Sequence, residues 1–422
     1  MTDFLPGFIA LLAMVCLLGF FNEKVTKLTY EISLMLFSTV LGIIIMVVAK
    51  VFFGQSLGSI FKYGGEDEFN IELFLIKGVL CFMLFAGSCH LKLMDFFRHA
   101  RQVNVLSFIT TFLGAVFYGG LFYGASALFG LNLSLPVCLM FGSIVAPTDP
   151  IAATSILNKF GLPKTTSFLI QGESLFNDGV GVALFVCFSG MVTATSSGRF
   201  FSVMLSQIFG AVGIGAAVTI VLFPLYKFTK SNTLGIFVSL LSVALSYYLC
   251  EVFDFSGAIA SVICGILFAA FRTYFCKYDA PEKNESFDSF WDTLDCLLNS
   301  VLYIMLGISF IHVFQMGHVI LLSIVAIVAN FIARAGSLTL STFLMGKLPD
   351  GFGKPGFVML FTWGGLRGGL CVALAMSTKG IIPDETFYII LGGTYAIVFF
   401  TTVIQGLTMK PVYKRISRNV NK

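Results

Sequence analysis

Thirteen long apolar runs, separated by short charged or turn-rich breaks, leave this 422-residue chain few ways to fold. They cover residues 4–22, 31–53, 70–90, 104–129, 134–157, 166–193, 200–228, 233–252, 256–272, 293–313, 316–344, 355–379 and 385–410. A membrane-crossing helix needs about 20 mostly apolar residues. The runs are continuous and lack the alternation of a spanning strand, which excludes a membrane β-barrel. Composition agrees, with 57% of residues hydrophobic and 11% charged, against about 25% charged in a soluble domain. The chain therefore reads as an all-α polytopic membrane protein of about thirteen transmembrane helices. The longest polar stretch, Lys277 to Asp292, reads as a loop. No basic segment precedes the first run, so it reads as a span and not as a signal peptide.

Charge sets the orientation. Counting residues at run ends with the adjoining break, nineteen of the 26 Lys and Arg residues fall on one side and three on the other, and the remaining four lie within the runs. The basic side is expected to be cytoplasmic, placing the N-terminus outside and the C-terminus inside the cell membrane. A net charge of +4 spread over loops gives no footprint for nucleic acid. The ten cysteines form no C-x-x-C pair and read as small hydrophobes. The histidines at 90, 99, 312 and 318 show no metal-ligand spacing, and no cofactor is expected.

Thirteen spans divide as six, one and six, the arithmetic of an inverted repeat around a linking helix. On this reading residues 4–193 form the first repeat, 200–228 the link, 233–410 the second repeat, and 411–422 a short cytoplasmic tail. Span 5 then corresponds to span 12, and both are interrupted midway. Span 5 contains Pro147-Thr148-Asp149-Pro150, and span 12 contains Gly364-Gly365-Leu366-Arg367-Gly368-Gly369. Pro147 and Pro150 lack amide hydrogens and disfavour helix at the preceding residue. The carbonyls freed there are tolerated at membrane depth only where they face protein or a wet cavity, and there they can coordinate a cation. In span 12 the breaks are Gly365 and Gly368.

Span 6 carries Gly172-Glu173-Ser174-Leu175-Phe176-Asn177-Asp178-Gly179 inside otherwise apolar sequence. Glu173 shares a helix face with Asn177, as Ser174 does with Asp178. Ionisable groups in a membrane are expensive and mark ion pathways. Two buried cations, Arg334 in span 11 and Arg367 in span 12, need acids or carbonyls nearby. Glu173 is the expected partner of Arg367, which would leave Asp178 unpaired and able to titrate.

These segments, together with Phe255-Ser256-Gly257-Ala258-Ile259-Ala260, Leu297-Leu298-Asn299-Ser300-Val301-Leu302 and Gln405-Gly406-Leu407, resemble the signatures of NhaP-type sodium/proton antiporters. Those belong to the monovalent cation:proton antiporter family, which includes the animal sodium/proton exchangers. The resemblance runs in order from about residue 80 to 413. It implies a homodimer whose protomers each have a mobile core and a dimerisation domain. It further implies that Asp178 binds sodium or the proton, assisted by Asn177, Ser174 and the Thr148 backbone. Asp149 would polarise the crossing of the broken helices, Glu173 and Arg367 would form a bridge, and Arg334 would support the core. Many members carry Phe-Glu-Ala-Gly in span 3, where this chain reads Phe85-Ala86-Gly87-Ser88 and lacks the acid.

The implied chemistry is competition between a proton and a sodium ion, or lithium, at Asp178, serving pH and sodium homeostasis. An empty carboxylate resists crossing because a lone charge in low dielectric is costly. Asn177 is neutral, so the expected exchange is electroneutral, one for one. A potassium/proton antiporter of the same fold is the alternative. An intramembrane aspartyl protease using Asp149 and Asp178 fits less well, since neither lies in a Gly-x-Gly-Asp setting and Arg367 would have no role. A gated cation channel is the third reading.

Overall fold

The computed structural model of the chain describes residues 4–52, 79–89, 98–193, 200–276, 281–309, 319–346 and 348–420. Residues 53, 70–78, 310–313 and 316–318 of the apolar runs lie outside them, as do the Glu66-Asp67-Glu68 loop and His90. Over the described residues every apolar run coincides with a helix or a pair of half-helices. Among these, eight helices are long and apolar enough to cross a membrane by length and composition.

The N-terminal part holds α1 (Phe4–Phe21), α2 (Tyr30–Phe52), α3 (Leu80–Ser88) and α4 (Ala100–Leu128). Span 5 is two short helices, α5 (Leu135–Ile144) and α6 (Pro150–Asn158), and α7 (Lys164–Val192) follows. Next come α8 (Phe200–Phe228), α9 (Asn232–Val252), α10 (Gly257–Phe275), α11 (Pro281–Ser309) and α12 (Val319–Met345). Span 12 is again two short helices, α13 (Lys354–Trp363) and α14 (Gly369–Met376). The last span starts as α15 (Asp384–Phe399) and passes through a wider turn, Phe400–Gln405, into α16 (Gly406–Val420). Residues 411–420, expected as a short tail, continue this helix.

Local chemistry explains several of these boundaries. Ser231 and Ser256 cap α9 and α10, their hydroxyls accepting from the amides of Leu234 at 3.2 Å and Ile259 at 3.4 Å. Pro136 and Pro355 occupy the first turns of α5 and α13, where no amide hydrogen is missed. Asp384 and Glu385 oppose the positive end of the α15 dipole.

One boundary corrects the sequence reading. The polar stretch before span 10 is not all loop, because α11 is already helical from Pro281. Its first turns are amphipathic. Phe287 and Trp291 are buried, while the Arg272 guanidinium lies 3.9 Å from the Phe287 ring centre and pairs with Asp288 at 2.9 Å. Mean hydropathy is low along such a stretch although one face packs fully.

Helix packing brings the two broken spans together. α4 lies against α5, where a side chain on Gly142 would collide with the carbonyl of Ala115. Small residues let backbones approach in this way where lipid supplies no hydrophobic drive. Beside this contact, Phe141 meets the rings of Tyr118 and Phe122 edge-on, with centroids 5.0 and 4.9 Å apart. α7 packs on α5, α6 and α10, and α12 packs on α4, α13 and α15. α11 runs along α2 and touches α3, α9 and α14. The α5–α6 and α13–α14 breaks meet between these groups.

Candidate ion-binding site

The two breaks are hydrogen-bonded to each other. The Asp149 amide donates to the carbonyl of Leu366 at 2.7 Å. Arg367 returns the contact, donating to the carbonyls of Ala146 and Pro147, the second at 2.9 Å. Its other nitrogen reaches Asn330 Oδ1 on α12 at 3.0 Å. The carbonyls freed by the prolines thus find a fixed cation inside the protein, and the guanidinium finds acceptors. Thr401 and Thr402 hold the Arg367 backbone, at 3.0 and 3.1 Å. Gly368 lies so close to Asp149 that an added Cβ would sit 3.0 Å from its Oδ2.

The expected bridge between Glu173 and Arg367 is replaced by another. Glu173 pairs with Arg334 at 2.6 Å, and both side chains are buried. Arg334 also donates to the Phe361 carbonyl at 3.3 Å. The reason is competition for donors: the proline-freed carbonyls engage Arg367, so the acid on α7 takes the guanidinium of α12. Removing either partner would leave an uncompensated charge.

Thr148 is held from α7. Its amide donates to Asn177 Oδ1 at 3.2 Å, Asn177 Nδ2 donates to Thr148 Oγ1 at 2.7 Å, and Ser174 Oγ lies 2.8 Å from that oxygen. Ser174 and Asn177 are buried and spend these bonds fixing the break.

Asp178 stands apart. Among the described residues it has no hydrogen-bond or ion-pair partner. It lines a cavity of about 100 Å³ together with Pro147, Thr148, Asp149, Pro150 and Gly368. Helix α11 closes another side of the cavity with Asp295 and Asn299. Tyr303, one turn beyond Asn299, donates its hydroxyl to Asp149 Oδ2. The sequence reading singled out none of these three as site residues. The available signal was their spacing of four, which places Asp295, Asn299 and Tyr303 on one face.

Ala86, where many relatives of the resembled type carry an acid, packs in a core cluster with Phe85, Tyr247 and Trp291. Gly87, its neighbour, reaches the cavity wall. No group of three or more His, Cys, Asp or Glu able to hold a metal ion occurs among the described residues.

An unpaired carboxylate in a small cavity, beside two broken helices crossing within a helical bundle, defines an ion-coupled secondary transporter. The chain belongs to the sodium/hydrogen exchanger transmembrane family, whose profile matches residues 11–415. It is 28% identical to the Na+/H+ antiporter NhaP of Pseudomonas aeruginosa, over 99% of this chain and 97% of that protein. The Na+/H+ antiporter NhaH of Halobacillus aidingensis is 29% identical, over 82% of this chain and 84% of that one. Among solved structures, the sodium proton antiporter MjNhaP1 of Methanocaldococcus jannaschii shares the fold, with a TM-score of 0.73. That match is 19% identical and covers 97% of this chain and 98% of that one.

Proposed function

We propose that this protein exchanges sodium ions for protons across the cell membrane by alternating access, with Asp178 as the group that carries either ion. The observation that carries the reading is the unpartnered Asp178 carboxylate facing the cavity at the crossing of the broken helices. The sodium in the family description and in the names of both relatives supports the choice of ion. The potassium alternative has no support among them. Thr148 and Asp149 contribute oxygens beside Asp178, while Ser174 and Asn177 position Thr148. The pairs made by Glu173, Arg334 and Arg367 hold the crossing rigid. Gly365 and Gly368, with Pro147 and Pro150, keep it open.

In the same reading the chain is an inverted repeat of six, one and six spans, with N-terminus outside and C-terminus cytoplasmic. Two copies form a dimer. The exposed apolar residues of α8, such as Phe209, Ile220 and Val221, then face lipid or a second copy.

One site serving both ions makes them competitors. The apparent KM for sodium should rise as pH falls, approaching about tenfold per unit where the carboxylate is mostly protonated. Fluorescence dequenching in everted vesicles, titrated with sodium at several pH values, measures this. A KM independent of pH across the active range would refute the shared site.

A further inference from the structure

Oxygen reaches the cavity unevenly. The α3 wall, from Val79 through Leu80, Met83 and Leu84 to Gly87, presents no oxygen-bearing side chain. Thr148 Oγ1 is engaged by Ser174 and Asn177, and Asp149 Oδ2 by Tyr303. A monovalent cation stripped of water needs several oxygens in place of its hydration shell. Among the described residues, the oxygen-bearing side chains at this cavity beyond Thr148, Asp149 and Asp178 are Asp295 and Asn299 of α11.

Asp295 is held in place for such a task. Asn299 Nδ2 donates to Asp295 Oδ1 at 2.9 Å and to the Asp295 carbonyl at 2.9 Å. Asn299 itself is 5% exposed, so it cannot swing into solvent. One turn further, Tyr303 fixes Asp149 from the same helix face. A single stripe on α11 thus supplies one carboxylate to the cavity and orients another.

We infer that Asp295 is a ligand of the transported cation, with Asn299 as its positioning residue, and that this carboxylate sets cation affinity and selectivity. This assignment rests on the exchange reading above. Asp178 exchanges proton for cation, whereas Asp295 adds a second carboxylate from α11 to the same cavity. A stronger oxygen field favours the smaller, more tightly attracted ions, so Asp295 biases the site toward lithium and sodium over potassium.

The test uses the full-length protein in proteoliposomes, with proton flux driven by sodium, lithium or potassium. Asp295→Asn should raise the apparent KM for sodium about tenfold, the scale of losing a charged ligand contact, with a smaller change in maximal rate. It should also lower the preference for sodium over potassium. Asp295→Glu should restore most of the affinity, which a purely structural role would not require. Asn299→Ala should shift the sodium KM in the same direction by a smaller factor.

If Asp295→Asn is inactive, the sodium concentration that raises the melting temperature of the purified protein replaces the KM. A sodium response of Asp295→Asn within twofold of the unmodified protein, by either readout, overturns the assignment. If Asp295→Asn does not fold, Asn299→Ala decides, and an unchanged KM in it overturns the assignment. Absence of sodium-driven flux in the unmodified protein would instead sink the exchange reading itself.

Discussion

The backbone amide of Asp149 donates to the carbonyl of Leu366 at 2.7 Å, joining the two broken spans where neither is helical. Each break therefore satisfies a backbone group that the other leaves open, without water and without a side chain. Arg367 closes the remaining carbonyls, those of Ala146 and Pro147. The crossing is a structure in its own right, and its geometry is set as much by span 12 as by the prolines of span 5.

Gly368 faces Asp149 across this crossing. With an added Cβ 3.0 Å from Asp149 Oδ2, Gly368→Val must displace the carboxylate. Misplacement of a working group by about 1 Å can cost roughly a hundredfold in rate. Sodium/proton exchange in Gly368→Val vesicles should drop at least tenfold while the protein still elutes as a folded species on size exclusion. Near-normal exchange would mean that the Asp149 position is not critical.

Asp178→Asn should abolish exchange at every pH, because the amide cannot carry a proton for a cation. Its melting temperature should stay near that of the unmodified protein, since Asp178 makes no hydrogen bond or ion pair among the described residues. Residual sodium-driven proton flux would assign the carrier role elsewhere.

Arg334→Ala leaves Glu173 buried without its partner. Breaking a buried pair from one side costs about 3–5 kcal/mol. A large fall in melting temperature is expected for this variant. Glu173→Gln combined with Arg334→Gln should recover much of it, because no charge is then stranded. The corresponding pair Glu173→Gln with Arg367→Gln should not, since Arg367 serves carbonyls and Asn330. Thermal stability in detergent, read by fluorescence-detected size exclusion, separates the two.

Thr148→Val removes the oxygen that Asn177 Nδ2 donates to and that Ser174 contacts. Each buried polar group left unpaired costs about 1–3 kcal/mol. Both stability and exchange should fall, whereas Thr148→Ser should keep both. Equal loss in the two variants would point to the methyl group, not the hydroxyl.

Exchange should carry no net charge. Asn177 is neutral and engaged with Thr148, so each half-cycle moves one ion on Asp178. Solid-supported membrane recordings should show no sodium-driven current in vesicles that exchange actively by the dequenching assay. A sustained current that scales with exchange rate would require a second titrating group.

Much of this arrangement was legible in the amino-acid order. The breaks stood out because Pro147 and Pro150, and the glycines around Arg367, cannot be read as uninterrupted helix. Asp178 stood out as an acid surrounded by apolar neighbours. Partner choice was not legible. Which arginine Glu173 meets depends on where the freed carbonyls point, and that follows only from the crossing. The α11 stripe was missed for a different reason. Asp295 lies just inside the apolar run 293–313, next to the polar stretch that ends at Asp292, and hydropathy cannot separate an acid facing a cavity from one at a span end facing water. Ala86 shows the limit from the other side, since the sequence flags a missing acid but not that this position belongs to the aromatic core cluster around Trp291.

Helix α11 is anchored at one end and meets the cavity further along. Near its start, Arg272 of α10 grips Asp288 and Asn284, and Lys283 reaches back to the carbonyls at the end of α8. Further along, Asp295 and Asn299 line the cavity and Tyr303 touches Asp149. With successive residues about 100° apart around the axis, a modest roll of this one rod would shift Asp295 and Asn299 at the cavity and Tyr303 against Asp149 together. Because the start of α11 is tied to α8 and α10, a displacement of those helices relative to the broken spans would bear on all three contacts at once, as a camshaft does.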